Sequence, residues 1–334
     1  MSSIEIIAEI AQAHDGSLGI AHSYIDALSQ TGVNTVKFQM HIAEAESSIH
    51  EQFRVPFSYE DATRYDYWKR MEFSLEEWAG LKAHCEDKGL RFLCSPFSIQ
   101  AFHQLEQLQV DRYKIASGEV SNFLLLDKIS ATKKPMLISS GLSSISDLQN
   151  SLAFCEQKGG QVDALFHCTT MYPTPPENYG LNRLKALQNI TSKPIGLSDH
   201  SGEIYAGIAA VAMGIKYLEN HVVFDKNMFG PDASSSLTID QFKTLVKGVR
   251  AIETAMQQAH TDQDQTTALQ IVFGKSLSYN KDLQKGHTIG LDDLETTKPG
   301  NMGIAAKDVQ TIIGKTLNQS VSKRDFVQLK DFNS

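Results

Sequence analysis

Short runs rich in Ile, Val, Leu and Phe alternate with amphipathic stretches of helical period through roughly the first 258 residues, the pattern of repeated strand–helix units. Eight such runs begin at Ile4, Asn34, Leu90, Arg112, Pro135, Val162, Pro194 and Lys216. Each leads into a helix-like segment. Residues 74–88 carry the N-terminal signature Ser74-Leu75-Glu76-Glu77, and another helix is expected from Thr238 to Met256. Eight units predict a closed (β/α)8 TIM barrel over 1–258. An open doubly wound sheet would usually place a glycine fingerprint after its first strand, where this chain has Ala11-Gln12-Ala13-His14-Asp15-Gly16.

Two departures from the repeat stand out. Ile42 to Met71 is a long insertion after the second strand, carrying Tyr59, Tyr65, Tyr67 and Trp68, and long loops in compact domains are often functional. Beyond Met256 the chain loses its apolar positions, and 259–270 reads as a linker. Residues 271–334 then show short alternating runs broken by Lys285-Gly286, Pro299-Gly300 and Gly303, which predicts a small β-rich module.

Composition narrows the functional classes. With 31 Lys plus Arg against 39 Asp plus Glu, the net charge of −8 is the wrong sign for a nucleic-acid or anionic-membrane binder. An anionic ligand would need a local positive pocket. The four cysteines form no CxxC pair and read as reduced structural thiols. No basic leader and no window of 18 uncharged apolar residues is present, so a cytoplasmic location is the expectation.

In a barrel of this class, function gathers at the carboxyl ends of the strands. Polar residues close every predicted strand here: Glu9; Lys37 and Gln39; Ser95; Lys114, Ser117 and Glu119; Ser139 and Ser140; His167 and Thr169; Ser198, Asp199 and His200; Glu219 and His221. Lys37 and Lys114 lie within apolar strands, where a lysine is costly unless it faces an anion-bearing cavity, and phosphate is the natural partner. His200 and His221 end neighbouring strands and could share a divalent metal; the bland alternative is that each hydrogen-bonds within the rim. Glu119 reads either as an exposed loop acid or as a carboxylate for a sugar hydroxyl or a proton.

The runs IIAEIAQAHDGSLG, VKFQ, YKIASGE, ISSG, HCTTMYPTP, GLSDHS, YLENHVVFDKNMFGPD and KPGNMGI, in this order along nearly the whole chain, resemble the sialic acid synthase family. The resemblance implies a (β/α)8 barrel followed by a small antifreeze-like (SAF) domain. It implies condensation of phosphoenolpyruvate with an N-acetylated aminosugar aldehyde, such as N-acetylmannosamine, to a nine-carbon acid with release of phosphate. By resemblance, His200 and His221 hold Mn2+ or Mg2+, and Glu9 acts beside the metal and the aldehyde. Lys37, Gln39, Ser95, Lys114, Ser117, Ser139 and Ser198 fall on positions that bind phosphoenolpyruvate. Glu119, Tyr172, Asp232 and Lys298 fall on positions facing the sugar. A domain-swapped homodimer is also implied, with Lys298 reaching the partner's barrel mouth.

Two departures touch the sugar end. Thr170-Met171 stands where many members have Asn or Ser and a sugar-contacting loop, and Lys298-Pro299-Gly300 replaces the common Arg-Pro-Gly. Arg and Lys hold oxygen ligands differently. Within the family, a synthase of diacetyllegionaminic acid using a 6-deoxy-2,4-diacetamido sugar is the sibling alternative. Outside it stand a Schiff-base aldolase using Lys114, and a non-enzymatic glycan- or ice-binding protein.

Overall fold

The computed structural model describes residues 3–55, 57–257 and 263–333. Its chain divides into a first unit, Met1–Gln258, and a second, Ala259–Ser334.

The first unit is built on eight parallel strands: β1 (Glu5–Glu9), β2 (Thr35–Met40), β3 (Arg91–Pro96), β4 (Tyr113–Ile115), β5 (Pro135–Ser139), β6 (Gln161–Cys168), β7 (Ile195–Asp199) and β8 (Tyr217–Val223). Each pairs with the next, and β1 pairs with both β2 and β8, so the sheet closes into the predicted barrel. Both faces are buried, which is why the strands read as nearly continuous apolar runs. The side chains nevertheless sort by parity. Ile6, Val36, Phe38, Phe92, Ile115, Ile138, Leu165 and Leu218 belong to the large core shared with the helical layer. Ile7, Leu93, Leu137, Ala164 and Phe166 fill the barrel interior as a separate cluster.

Stepping two residues along the inward face from that plug leads from Ile7 to Glu9, from Leu93 to Ser95, from Leu137 to Ser139 and from Phe166 to Cys168. The polar mouth therefore continues the apolar core. The helices start where the sequence says they should: Ser74 caps the helix Leu75–Asp87, accepting from the Glu77 backbone N–H while its own N–H donates to the Glu77 carboxylate. The insertion after β2 holds two helices, Ala43–Glu46 and Arg64–Met71, packed through Tyr67, Trp68 and Met71.

The second unit has its own core of Leu277, Tyr279, Leu283, Ile289, Ile312, Leu317, Val321, Val327 and Phe332. Its one regular antiparallel pair joins Ser276–Tyr279 to Leu294–Thr297, with isolated bridges making up the rest of the β-rich module among the described residues. The linker reading of 259–270 needs correction. Residues 259–262 lie outside the described residues, but Gln263–Phe273 is a helix. Its polar start hid it, because backbone hydrogen bonding needs no apolar side chain in the first turns. No helix among the described residues is long and apolar enough to cross a membrane.

Phe166 plugs the barrel directly beneath the mouth, fully buried, with the Lys114 Nζ 4.3 Å above its ring centroid. Phe166→Ala is expected to cost about 3–5 kcal/mol of unfolding free energy in denaturant titrations, since it combines lost transfer energy with a cavity.

Candidate functional site

The strand register sets the site before any side-chain detail. Glu9 lies opposite Lys37 on β2 and opposite His221 on β8, Gln39 opposite Ser95, and Glu219 opposite Ser198. Inward residues of five strands thus meet over two successive levels. They open into a cavity of about 540 Å³ at the carboxyl ends of the strands, lined among others by Glu9, Lys37, Lys114, Glu219, His200 and His221.

Its floor is an ion cluster. Lys114 Nζ donates to both carboxylate oxygens of Glu219 at 2.8 Å, and Lys37 Nζ lies 3.7 Å from Glu219 Oε1 while also pairing with Glu9. Ser198 Oγ donates to Glu219 Oε1 at 3.0 Å. All are buried. Burial alone would raise the Glu219 carboxyl, but Lys114 and Lys37 override it and hold the group well below the usual carboxylate range. The Lys37 ammonium is pushed down to about 8, mainly by burial and against the pull of Glu219. A phosphate or carboxylate arriving here meets two ammonium groups that already share a protein acid.

Above the floor, the His200 and His221 rings stand 5.0 Å apart, centroid to centroid. The Thr169 carbonyl lies 2.7 Å from His200 Nδ1, which fixes the proton on Nδ1 and leaves Nε2 facing the Tyr172 hydroxyl at 3.2 Å. Neutral imidazoles with an oriented free nitrogen fit a divalent cation. No set of three His, Cys, Asp or Glu side chains converges closely enough for that purpose among the described residues. The residues present thus fit an ion that takes its remaining ligands from water and substrate.

The other sequence-predicted residues sort as follows. Gln39, Ser117, Ser139, Glu119, Tyr172 and Asp232 line the cavity with the groups above. Ser117 Oγ accepts from the Gly141 N–H at 3.1 Å, at a crossing where a Cβ on Gly141 would lie 2.9 Å from that oxygen. Glu119 accepts from Asn122 Nδ2 at 2.7 Å, and burial raises its carboxyl. Ser95 and Ser198 lie behind the cavity wall, Ser198 on Glu219 and Ser95 Oγ without a hydrogen-bond partner among the described residues. His167 turns to the opposite face, where its Nε2 lies 2.9 Å from the Tyr179 carbonyl oxygen. Lys298 belongs to the second unit, with Nζ 5.2 Å from the Phe273 ring centroid.

Sequence reasoning did not single out the arginines. Arg54 Nη2 donates to Asp232 Oδ1 at 2.8 Å, the Arg54 guanidinium carbon lies 4.1 Å from the Tyr172 ring centroid, and Arg64 pairs with Glu51 at 2.9 Å. Both come from the insertion flagged for its aromatics. No periodicity marks them, and the Arg54 to Asp232 contact joins residues 178 apart in the sequence.

Four buried imidazoles, His14, His41, His200 and His221, are each pushed down to about 3, with burial the first cause in every case. The unfolded chain takes up those protons near pH 6.5 and the folded chain does not, so each one removes stability as pH falls from 6.5 towards 3. Asp199, raised by burial to about 6, and Glu46, raised by burial to about 8, act in the opposite sense. The four outnumber the two. Denaturant midpoints in metal-free buffer are expected to fall between pH 6.5 and 4.5, and His14→Asn is expected to flatten that fall.

The NeuB family profile matches residues 24–261 and the SAF domain profile residues 274–333. The N,N'-diacetyllegionaminic acid synthase of Campylobacter jejuni is 29% identical over 98% of this chain and 100% of that one. The human N-acetylneuraminate-9-phosphate synthase is 30% identical over 96% of this chain and 90% of its own. Among solved structures, the N-acetylneuraminic acid synthetase of Leptospira borgpetersenii, in complex with citrate, superposes with a TM-score of 0.71 at 26% identity, over 80% of this chain and 90% of that one. A spore coat polysaccharide biosynthesis protein of Bacillus subtilis superposes with a TM-score of 0.66 at 26% identity, over 100% of this chain and 96% of that one. The chain belongs to the NeuB family, with a SAF domain at its carboxyl end.

Proposed function

We propose that the protein condenses phosphoenolpyruvate with an N-acetylated aminosugar aldehyde of the N-acetylmannosamine type, and with water, to give a nine-carbon sialic acid and phosphate. The observation that carries this reading is the convergence of Lys37 and Lys114 with two neutral imidazoles on one cavity. A trianionic three-carbon substrate needs ammonium groups and hydroxyl donors, and a polyol needs carboxylates and a phenol.

In this reading Lys37, Lys114, Gln39, Ser117 and Ser139 hold the phosphate and carboxylate of phosphoenolpyruvate, with Ser95 and Ser198 supporting them from behind the wall. Glu119, Tyr172 and Asp232 orient the aminosugar, and Lys298 of the SAF domain completes the sugar end from the partner in a domain-swapped homodimer. A divalent cation of the Mn2+ or Mg2+ class, held by His200 and His221, would polarise the aldehyde oxygen. The enol carbon of phosphoenolpyruvate forms a bond to the aldehyde carbon as the carbonyl π bond opens onto its oxygen, leaving that oxygen anionic and C2 positive, while Lys37 and Lys114 keep hold of the phosphate and carboxylate. Water adds to C2 with Glu9 taking one of its protons and passing it to the aldehyde-derived oxygen; the C2 hydroxyl then becomes C2=O as the C2–O bond breaks, and phosphate leaves with the bridging oxygen and the second proton.

A second reading keeps the chemistry and changes the sugar to a 6-deoxy-2,4-diacetamido aldehyde, giving diacetyllegionaminic acid. Val55, Phe57 and Leu142 on the cavity wall favour it, as do relatives that carry that activity in their names.

Phosphate release from phosphoenolpyruvate, measured with each aminosugar in turn, separates the two readings. Oxygen-18 placed in the bridging position is expected to leave with phosphate, and retention of the label in the nine-carbon product would contradict the proposed cleavage. His221→Ala is expected to lose metal-dependent turnover, and full retention would contradict the site.

A further inference from the structure

Arg54, from the insertion after β2, touches two of the groups assigned above to the sugar. Its Nη2 donates to Asp232 Oδ1 at 2.8 Å and to the Pro231 carbonyl at 3.3 Å, and its guanidinium carbon lies 4.1 Å from the Tyr172 ring centroid. Tyr172 follows β6 and Asp232 follows β8, so one side chain joins the insertion to loops from two strands of the barrel. A charge-assisted hydrogen bond and a cation over an aromatic face together fix where the guanidinium sits.

Those hydrogen bonds use Nη2 alone. Nε and Nη1 take no hydrogen bond among the described residues, and the side chain lines the cavity while 40% exposed, so these donors are open to a ligand. Arg64, also on the cavity wall, is placed differently. Its Nε pairs with Glu51 at 2.9 Å and its Nη1 donates to the Gln52 carbonyl at 3.3 Å, both within the insertion itself. Arg54 instead stands beside the imidazole pair, because the hydroxyl of the Tyr172 it covers is 3.2 Å from His200 Nε2.

Donor and acceptor chemistry decides which sugar atom suits the open N–H groups. A sugar hydroxyl both donates and accepts, so Asp232 can serve it. An amide carbonyl oxygen only accepts, and arginine supplies donors without an acceptor. In an aminosugar of the N-acetylmannosamine type the acetamido group is borne by the carbon next to the aldehyde. With the aldehyde at the two imidazoles, that carbonyl lies on the side of the cavity where Arg54 stacks on Tyr172.

We propose that Arg54 is a specificity-determining residue, which donates to the acetamido carbonyl oxygen beside the aldehyde and so selects N-acylated aminosugars over their hydroxyl analogues. The inference rests on the condensing reaction proposed above and assigns to one side chain the choice of substituent at that carbon.

The test uses phosphate release by the full-length protein, with the aminosugar the wild type prefers and with its analogue bearing a hydroxyl in place of the acetamido group beside the aldehyde. Arg54→Ala removes the side chain, and Arg54→Met keeps an apolar stem over Tyr172 without the donors. Both variants are expected to keep the phosphoenolpyruvate KM within about twofold and to reduce the ratio of the two kcat/KM values about tenfold or more, the scale of one hydrogen bond from a charged group. An analogue that turns over too slowly is ranked by its inhibition constant against the aminosugar, with the same narrowing expected. A ratio within about threefold of the wild type would overturn the proposal even if both sugars slowed together, since loss of a purely structural clamp on Asp232 and Tyr172 slows both alike. A ratio that falls in Arg54→Ala but not in Arg54→Met would overturn it too, by assigning the effect to the stem. Either result leaves the condensation reading intact. Absence of phosphate release from the wild type with every aminosugar would instead overturn that reading, and the assignment of Arg54 with it.

Discussion

The arrangement depends on one buried acid, Glu219, placed between two buried ammonium groups. Lysine is expensive inside a barrel, and a pair of them is tolerable only with a counter-charge that is itself well held. Glu219 meets both conditions: it takes two hydrogen bonds from Lys114 and one from Ser198, and lies within ion-pair distance of Lys37. Glu9 completes the balance at Lys37. The result is a charge-balanced floor of two ammonium groups and two acids, all lining the cavity where a substrate bearing phosphate and carboxylate would compete for the lysines.

Around that floor the fold separates roles by origin. Strand ends supply the ionic and imidazole groups, whose mutual positions follow from the parallel register and tolerate little adjustment. The insertion after β2 supplies the outer wall, including both arginines, each already paired with an acid. The ionic and imidazole groups therefore lie on rigid strands, while the outer wall of the cavity lies on an inserted segment.

Much of this was legible in the sequence, for a physical reason. The barrel follows from apolar runs repeated eight times, and the inward polar residues follow from period-two parity at the strand ends, so Glu9, Lys37, Lys114 and His221 could be named without coordinates. His200 and Tyr172 follow the strands rather than sit in them, and they come together because β6 and β7 are neighbours. The partnerships were not legible. Glu219 appears in the sequence as one strand-end acid among several, and its importance emerges only when β4 and β8 meet across the barrel. Arg54 finds Asp232 through a loop contact that no periodicity encodes. His167 misled because it closes the same strand as Cys168 but has the opposite parity. The helix Gln263–Phe273 was missed because its first turns are polar, so composition resembled a linker where backbone hydrogen bonding was sufficient.

The most direct test of the account is a crystal structure of the full chain with Mn2+ and phosphoenolpyruvate, with anomalous scattering used to locate the ion. The expected result is manganese against both His200 and His221, with the phosphate and carboxylate of phosphoenolpyruvate on Lys37 and Lys114. An ion held elsewhere, or phosphoenolpyruvate bound away from both lysines while Glu219 keeps them fully engaged, would contradict it.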